Sequence, residues 1–181
     1  MPDETTLPNS PRSRVRLLSA RAAHAGFVCR LYRDAGTMQH LGGPRDRQDA
    51  AELARRTLSG ASPPGRGQQL WIIQDPATGS PIGLAGLTPK GTATIELGLL
   101  LSGEHQGQGY GRATVVALRT AAAGRAPARR LVARHAPGNA AMARLLASLG
   151  FERIGTDRDG YVSWRNPDSA RTTDAVSAAI G

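Results

Sequence analysis

Three glycines at alternate positions, Gly107, Gly109 and Gly111, follow Gln106 in the stretch EHQGQGYGRATVVALRTAA (residues 104–122), which then becomes an unbroken run of helix formers. Glycine weakens a helix by ~1 kcal/mol relative to alanine. At the head of a helix it marks backbone that must turn sharply or be approached closely. The pattern Q-x-x-G-x-G is neither the dinucleotide fingerprint G-x-G-x-x-G nor a phosphate loop ending in G-K-[ST]. The amides of Gly107, Gln108, Gly109, Tyr110, Gly111 and Arg112 would converge at the positive end of a helix dipole, which suits a pyrophosphate. Arg112, in the first turn, could add a charge-assisted contact, and Tyr110 would contribute through its backbone. Taken alone, the same residues also suit an ordinary glycine-rich turn with a surface arginine.

Other residues able to do chemistry are few. Glu96 stands inside the apolar run TATIELGLLL (92–101), where an acid is costly unless it has a partner or a chemical role. A salt bridge to one of many arginines competes there with a general-base role. His135 ends the segment RRLVARH just before Asn139, and its ordinary pKa near 6.5 suits proton transfer; an exposed loop histidine is the alternative. His105 lies ahead of the glycines, His24 falls on an apolar helical stripe, and His40 has no evident role. Cys29 is the only cysteine, so neither an internal disulfide nor a cysteine zinc site is available, and it reads as packing in a helix.

These residues need a scaffold. VRLLS (15–19) predicts a first strand, with Ser19 as N-cap of a helix whose stripe is Ala20, Ala23, His24, Phe27 and Leu31. GGP at 42–44 breaks the chain before a second helix with Ala50, Leu53, Ala54, Thr57 and Leu58 on one face. SGASPPGRG (59–67) predicts a flexible connection, followed by strands at 69–75, 81–89 and 92–101. A long helix over about 109–123, a strand at 129–135, a helix over about 140–149 stopped by Gly150, and a hairpin from FERIGT and GYVSWR complete the order β-α-α-β-β-β-α-β-α-β-β. Asn139 is placed to cap the last helix. Three consecutive strands argue for an α+β fold with a mixed sheet rather than a doubly wound parallel one.

The chain has 181 residues and 40% apolar content, consistent with one domain over residues 14–165 between loose segments 1–13 and 166–181. No apolar run approaches the ~18 residues that span a bilayer, and the polar, acid-bearing start is neither a signal nor a transit peptide, so a cytoplasmic protein without membrane partners is expected. The net charge of +9 comes almost wholly from arginine, Lys90 being the single lysine. It favours a polyanionic ligand. At 4% aromatic content the chain is a poor stacking platform for single-stranded nucleic acid, although Arg125, Arg129, Arg130 and Arg134 leave an RNA- or ribosome-docking module as an alternative.

The glycine stretch resembles motif A of the GNAT superfamily of acyl-CoA N-acyltransferases, [Q/R]-x-x-G-x-[G/A]. LYRDAGTMQHLGGP (31–44), LWIIQDPATGSPIGLAGL (70–87), IELGLLL (95–101) and NAAMARLLASLGFERIG (139–155) resemble its ribosomal-protein alanine N-acetyltransferase-like branch. The resemblance implies a three-layer α/β/α sandwich around a mostly antiparallel sheet. It implies acetyl-CoA as acyl donor, no metal, and acetylation of a primary amine on a protein N-terminus or small molecule, by direct attack in a ternary complex. By analogy, main-chain groups near Leu99 and Leu101 would pair with pantetheine, and Glu96 would be the base. Asn139 would reach the pantetheine arm, and Arg144 a phosphate. The branch usually has a serine three residues after that asparagine, proposed to protonate the thiolate. Here that position is Met142, which leaves Tyr161 as an alternative acid and a catalytically silent acyl-CoA sensor as an alternative function. A homodimer is compatible with the family. Glu52, Glu96, Asp157 and Asp159 could render the acceptor groove acidic.

Overall fold

The structure is a computed structural model that describes residues 13–60 and 67–170. A short strand β1 (Arg16–Ser19) leads into three helices, α1 (Ala25–Arg33), α2 (Ala35–Met38) and α3 (Arg47–Ser59). Strands β2 (Gln69–Gln74), β3 (Pro81–Lys90) and β4 (Thr94–Leu101) form a meander that ends at the glycine turn and α4 (Tyr110–Arg125). Then come β5 (Arg130–His135), α5 (Ala140–Ser148), β6 (Glu152–Thr156) and β7 (Val162–Arg165). The seven strands form one sheet in the order β1-β2-β3-β4-β5-β7-β6. All neighbours run antiparallel except β4 and β5.

Strand alternation sends side chains to two cores. On one face Ile73, Leu87, Ile95, Leu97, Leu131 and Ala133 pack against Val115 and Leu118 of α4 and Leu146 of α5. On the other, Ile72 and Leu84 pack against Val28 and Leu31 of α1, Met38 of α2, and Ala54 and Leu58 of α3. The expected three-layer α+β architecture is therefore present.

Local differences have physical causes. Ser19 does not cap a helix: it stays in β1, paired with Trp71. A 3-10 turn at Ala22–His24 intervenes, in which the Arg21 N–H donates to His24 Nδ1 at 2.9 Å. The helix thus starts later, its buried stripe is Val28, Leu31 and Tyr32, and His24 closes a turn rather than packing in the core. The four-residue α2 was hidden by Gly36, which reads as a breaker; Asp34 caps it by accepting from the Thr37 N–H at 2.7 Å. Gly150, at φ +79°, ends α5 as predicted, with the Phe151 N–H returning to the Leu146 carbonyl at 3.0 Å. The loose ends and the 59–67 connection lie largely outside the described residues. Of the described part, Asn166 is buried, its N–H donates to the Leu131 carbonyl at 2.9 Å, and Pro167–Ala170 form a 3-10 turn. No helix among the described residues is long and apolar enough to cross a membrane.

Candidate active site

The sheet is incomplete at its centre. Strands β4 and β5 pair only from Thr94↔Arg130 to Leu97↔Ala133, although β4 runs on to Leu101 and β5 to His135. Between the diverging ends opens a cleft of about 640 Å³. The register shows what faces it. The Ser102 N–H donates to the Ile82 carbonyl at 3.0 Å, and Gly83 stands opposite Leu101. In an antiparallel ladder this makes Leu101, Leu99 and Leu97 the positions whose N–H and C=O turn away from β3, toward β5. Leu97 lies within the region paired to β5; Leu99 and Leu101 lie beyond it, where among the described residues no strand pairs with their β5 side. The main-chain groups of both therefore face the open side of β4. The Leu101 carbonyl, however, already accepts from Gln106 Nε2 at 3.1 Å and lies 3.1 Å from Thr37 Oγ1, whose single proton is directed to the nearer Asp34 carboxylate.

At the wide end lies the glycine turn. Gly107 and Gly109 have φ of +73° and +85°, which non-glycine residues rarely adopt, and a Cβ on Gly107 would meet nothing within 4 Å. The first intrahelical bond of α4 runs from the Ala113 N–H to the Gly109 carbonyl at 3.1 Å, so the amides of Tyr110, Gly111 and Arg112 precede the ladder. At Gly111 a Cβ would lie 3.4 Å from Leu145 and 3.6 Å from Leu101, ordinary contact distances, so packing alone does not require a glycine there.

Side chains brace the turn from outside. Gln106 Nε2 donates to the carbonyls of Gly36 and Leu101, tying the turn to α2 and β4. Gln108 Nε2 donates to the Glu104 carbonyl at 2.6 Å. Arg14, which the sequence did not single out, donates from Nη1 to the Gln108 carbonyl at 2.6 Å. That contact fixes the Gln108–Gly109 peptide plane. Arg112 lines the cleft but is held by Ser148 Oγ at 3.0 Å. Tyr110 packs edge-to-face with His105, which bonds Ser102 Oγ at 2.6 Å. Arg144 is exposed on α5 and is not among the residues lining the cleft.

Glu96 and His135 both line the cleft. Glu96 is half-buried, with Arg134 Nε at 3.2 Å and Lys90 Nζ at 3.9 Å. Arg134 also reaches Asp157 at 2.6 Å and Asp159 at 3.7 Å in the β6–β7 turn, and it lies 5.3 Å from the ring centre of Tyr161. The hydrogen bond from Arg134 holds the Asp157 carboxyl below its ordinary range, and the same bond raises the guanidinium's own pKa. Engaged by these acids, Arg134 does not extend the basic cluster with Arg125, which stacks on Trp71 at 5.8 Å. His135 is not an exposed loop residue but is buried. The Trp164 indole N–H donates to its Nε2 at 3.0 Å. Since an indole nitrogen only donates, the ring proton resides on Nδ1 and is given to the Ala136 carbonyl at 2.8 Å. Both ring nitrogens are thus occupied, and in this arrangement His135 has no lone pair available for a proton. Asn139 caps α5 as predicted, its Oδ1 accepting from the Met142 N–H at 2.9 Å. No group of three or more His, Cys, Asp or Glu side chains suited to a metal occurs among the described residues.

Residues 14–152 match the Acetyltransferase (GNAT) domain. The uncharacterized Bacillus subtilis protein YkkB is 25% identical over 159 residues, covering 86% of this chain and 88% of YkkB. The ribosomal L7/L12 alpha-N-protein acetyltransferase RimL, in complex with coenzyme A, superposes with a TM-score of 0.72 at 19% identity, over 91% of this chain and 99% of RimL. Spermidine N-acetyltransferase from Vibrio cholerae, in complex with CoA and spermine, gives a TM-score of 0.67 at 17% identity, over 84% of this chain and 93% of that one. The domain match spans most of the sequence, and the strand order, the β4–β5 splay and the glycine turn agree with it: the chain belongs to the GNAT acetyltransferase family.

Proposed function

We propose that the protein is a cytoplasmic N-acetyltransferase that transfers an acetyl group from acetyl-CoA to a primary amine by direct attack in a ternary complex. The observation that carries this reading is the β4–β5 splay, with Leu99 main-chain groups turned into a cleft that runs from the glycine turn to Glu96. Acetyl-CoA supplies a thioester carbonyl open to attack by an amine. The amides of Gly107 to Arg112 would hold its pyrophosphate, and Leu99 would pair with the pantetheine arm as a neighbouring strand does. A main-chain N–H beside the carbonyl would stabilise negative charge developing on its oxygen.

The acceptor must lose a proton, since alkyl amines have pKa values near ~10.4. With both His135 nitrogens engaged, Glu96 is the better candidate to receive that proton, directly or through water. Met142 cannot protonate the departing thiolate. A thiol with a cysteine-like pKa of ~8.5 leaves tolerably without an acid, and Tyr161 lines the cleft as an alternative donor.

The test is calorimetric titration with acetyl-CoA at physiological salt, with desulfo-CoA and ATP as controls. It is followed by thiol-release assays on small amines and N-terminal peptides. Micromolar binding that ATP does not reproduce, together with turnover that falls ~100-fold in Glu96→Gln while the acetyl-CoA Kd holds, is the expected result. Absence of binding at millimolar acetyl-CoA would overturn the reading. Binding without turnover on any amine would favour a sensor.

A further inference from the structure

Resting on the N-acetyltransferase reading, we infer that the acceptor is a primary monoamine on an uncharged body, seated in a glycine-floored trough beside Glu96. On the α1/α3 face of the sheet, β3 and β4 place Thr88 opposite Glu96, Gly86 opposite Gly98, and Leu84 opposite Leu100. The two glycines stand side by side between a polar pair and an apolar pair. At Gly98 the sheet presents bare backbone, whereas Gly86 is buried beneath the Leu70 side chain. A Cβ on Gly98 would meet nothing within 4 Å, so its place is open space within the cleft. At Gly86 the equivalent Cβ would press to 2.7 Å of Leu70, whose side chain forms part of the apolar wall.

Neutral polar groups line the sides. The Tyr32 hydroxyl meets Thr57 Oγ1 at 2.9 Å, and Gln68 Nε2 donates to Thr88 Oγ1 at 3.2 Å. All four residues line the cleft. Each pair keeps further donor or acceptor capacity for a ligand. Leu84, Leu100 and the partly exposed Leu41 supply apolar surface.

The lining charges disfavour a polycation. Glu96 is the sole carboxylate among the described residues lining the cleft, and Arg134, which also lines it, is already matched by Glu96, Asp157 and Asp159. The other acids that could have formed an acidic groove are elsewhere: Glu52 pairs with Arg55 and Arg56 on α3, and Asp157 and Asp159 are turned to Arg134. One ammonium can be matched at Glu96; a second or third would find no further carboxylate among the described residues lining the cleft. An uncharged body suits the hydroxyl, amide and leucine walls.

The experiment compares kcat/KM, by thiol release from acetyl-CoA, for tyramine, a neutral tripeptide amide with a free N-terminus, spermidine and kanamycin. The expected result is tyramine or the peptide exceeding both polycations at least tenfold, the better of the two showing whether a small molecule or a chain terminus is the source of the amine. In Gly98→Val, the acceptor KM should rise at least tenfold with the acetyl-CoA Kd changed less than threefold, and Tyr32→Phe should raise it severalfold. The retained Kd reports that each variant is folded. A preference for spermidine or kanamycin, an acceptor KM unmoved in both variants, or acetyl-CoA binding with no monoamine turned over would overturn the inference. Failure to bind acetyl-CoA at all would instead remove the reading beneath it.

Discussion

A guanidinium that reaches Glu96 at 3.2 Å, Asp157 at 2.6 Å and Asp159 at 3.7 Å does two jobs at once. It fixes the carboxylate proposed as base, and it pins the β6–β7 turn over that end of the cleft. The first job was half legible in the sequence. An acid inside an apolar strand needs a partner or a chemical role, and Glu96 has the partner and lies where the role would be played. The second was not, because it depends on a turn 23 residues away folding back onto β5. The linkage has a definite sign. Asp157 titrates below its ordinary range because Arg134 donates to it, so the folded state gains stability from the pair above the unfolded value of about 3.9. That gain is lost as pH falls through the lower folded value. Arg134→Gln should therefore lower the urea midpoint at pH 6, and the gap from the parent should narrow steadily below pH 4. Parallel curves from pH 6 to pH 2.5 would show that the pair contributes nothing to folding.

At the scale of elements, α1 and α2 are fastened to the segment that follows β4. The Asp34 carboxylate accepts from the Thr37 N–H at 2.7 Å, the Thr37 hydroxyl at 2.5 Å and the Gly103 N–H at 3.0 Å. The Thr37 bonds, foremost, hold it below the usual carboxylate range. Gly36 and Gly103 touch so closely that a Cβ on Gly36 would lie 2.9 Å from the Gly103 Cα. Asp34→Ala removes the cap of α2 and leaves two backbone donors seeking partners. It should cost about 1–2 kcal/mol in urea denaturation at neutral pH; a loss within measurement error would mean that water replaces the carboxylate without penalty. This junction also shows where sequence reading stops. Periodicity and caps located the long elements: α3, α4, the α5 cap at Asn139 and the Gly150 stop all lie close to their expected places. Helix α2 escaped because a glycine that breaks helices in isolation is here selected for close contact with another glycine. The trough escaped for a related reason. Gly86 and Gly98 are 12 positions apart in the sequence, and only the register of β3 on β4 makes them neighbours.

For the whole molecule, the consequence of the splay is a sheet in two unequal parts. Strands β1 to β4 form a continuous antiparallel ladder, whereas β5, β7 and β6 attach to it through the four parallel pairs from Thr94↔Arg130 to Leu97↔Ala133. Across the upper part of the seam the connection is made by side chains, Arg134 to Glu96 among them. Stability need not be uniform in such a structure, and segments with fewer buried ties open at lower free energy than the global transition. Amide exchange in the unliganded protein should be faster in β5, β6 and β7 than in β2, β3 and β4. A ligand that pairs with Leu99 and rests on the glycine turn would bridge the two parts. It stabilises every state that binds it by RT ln(1 + [L]/Kd), about 2.7 kcal/mol at a hundredfold excess over Kd. Acetyl-CoA should therefore slow exchange most strongly at Leu99, in the amides of residues 107–112 and throughout β5 and β7, while β1 and β2 change little. Uniform protection of all seven strands would instead show that the sheet opens as one unit. Protection confined to residues 107–112 would place the pyrophosphate correctly but leave the pantetheine arm outside the seam, and with it the argument that the divergence of β4 from β5 is what the fold offers to a thioester.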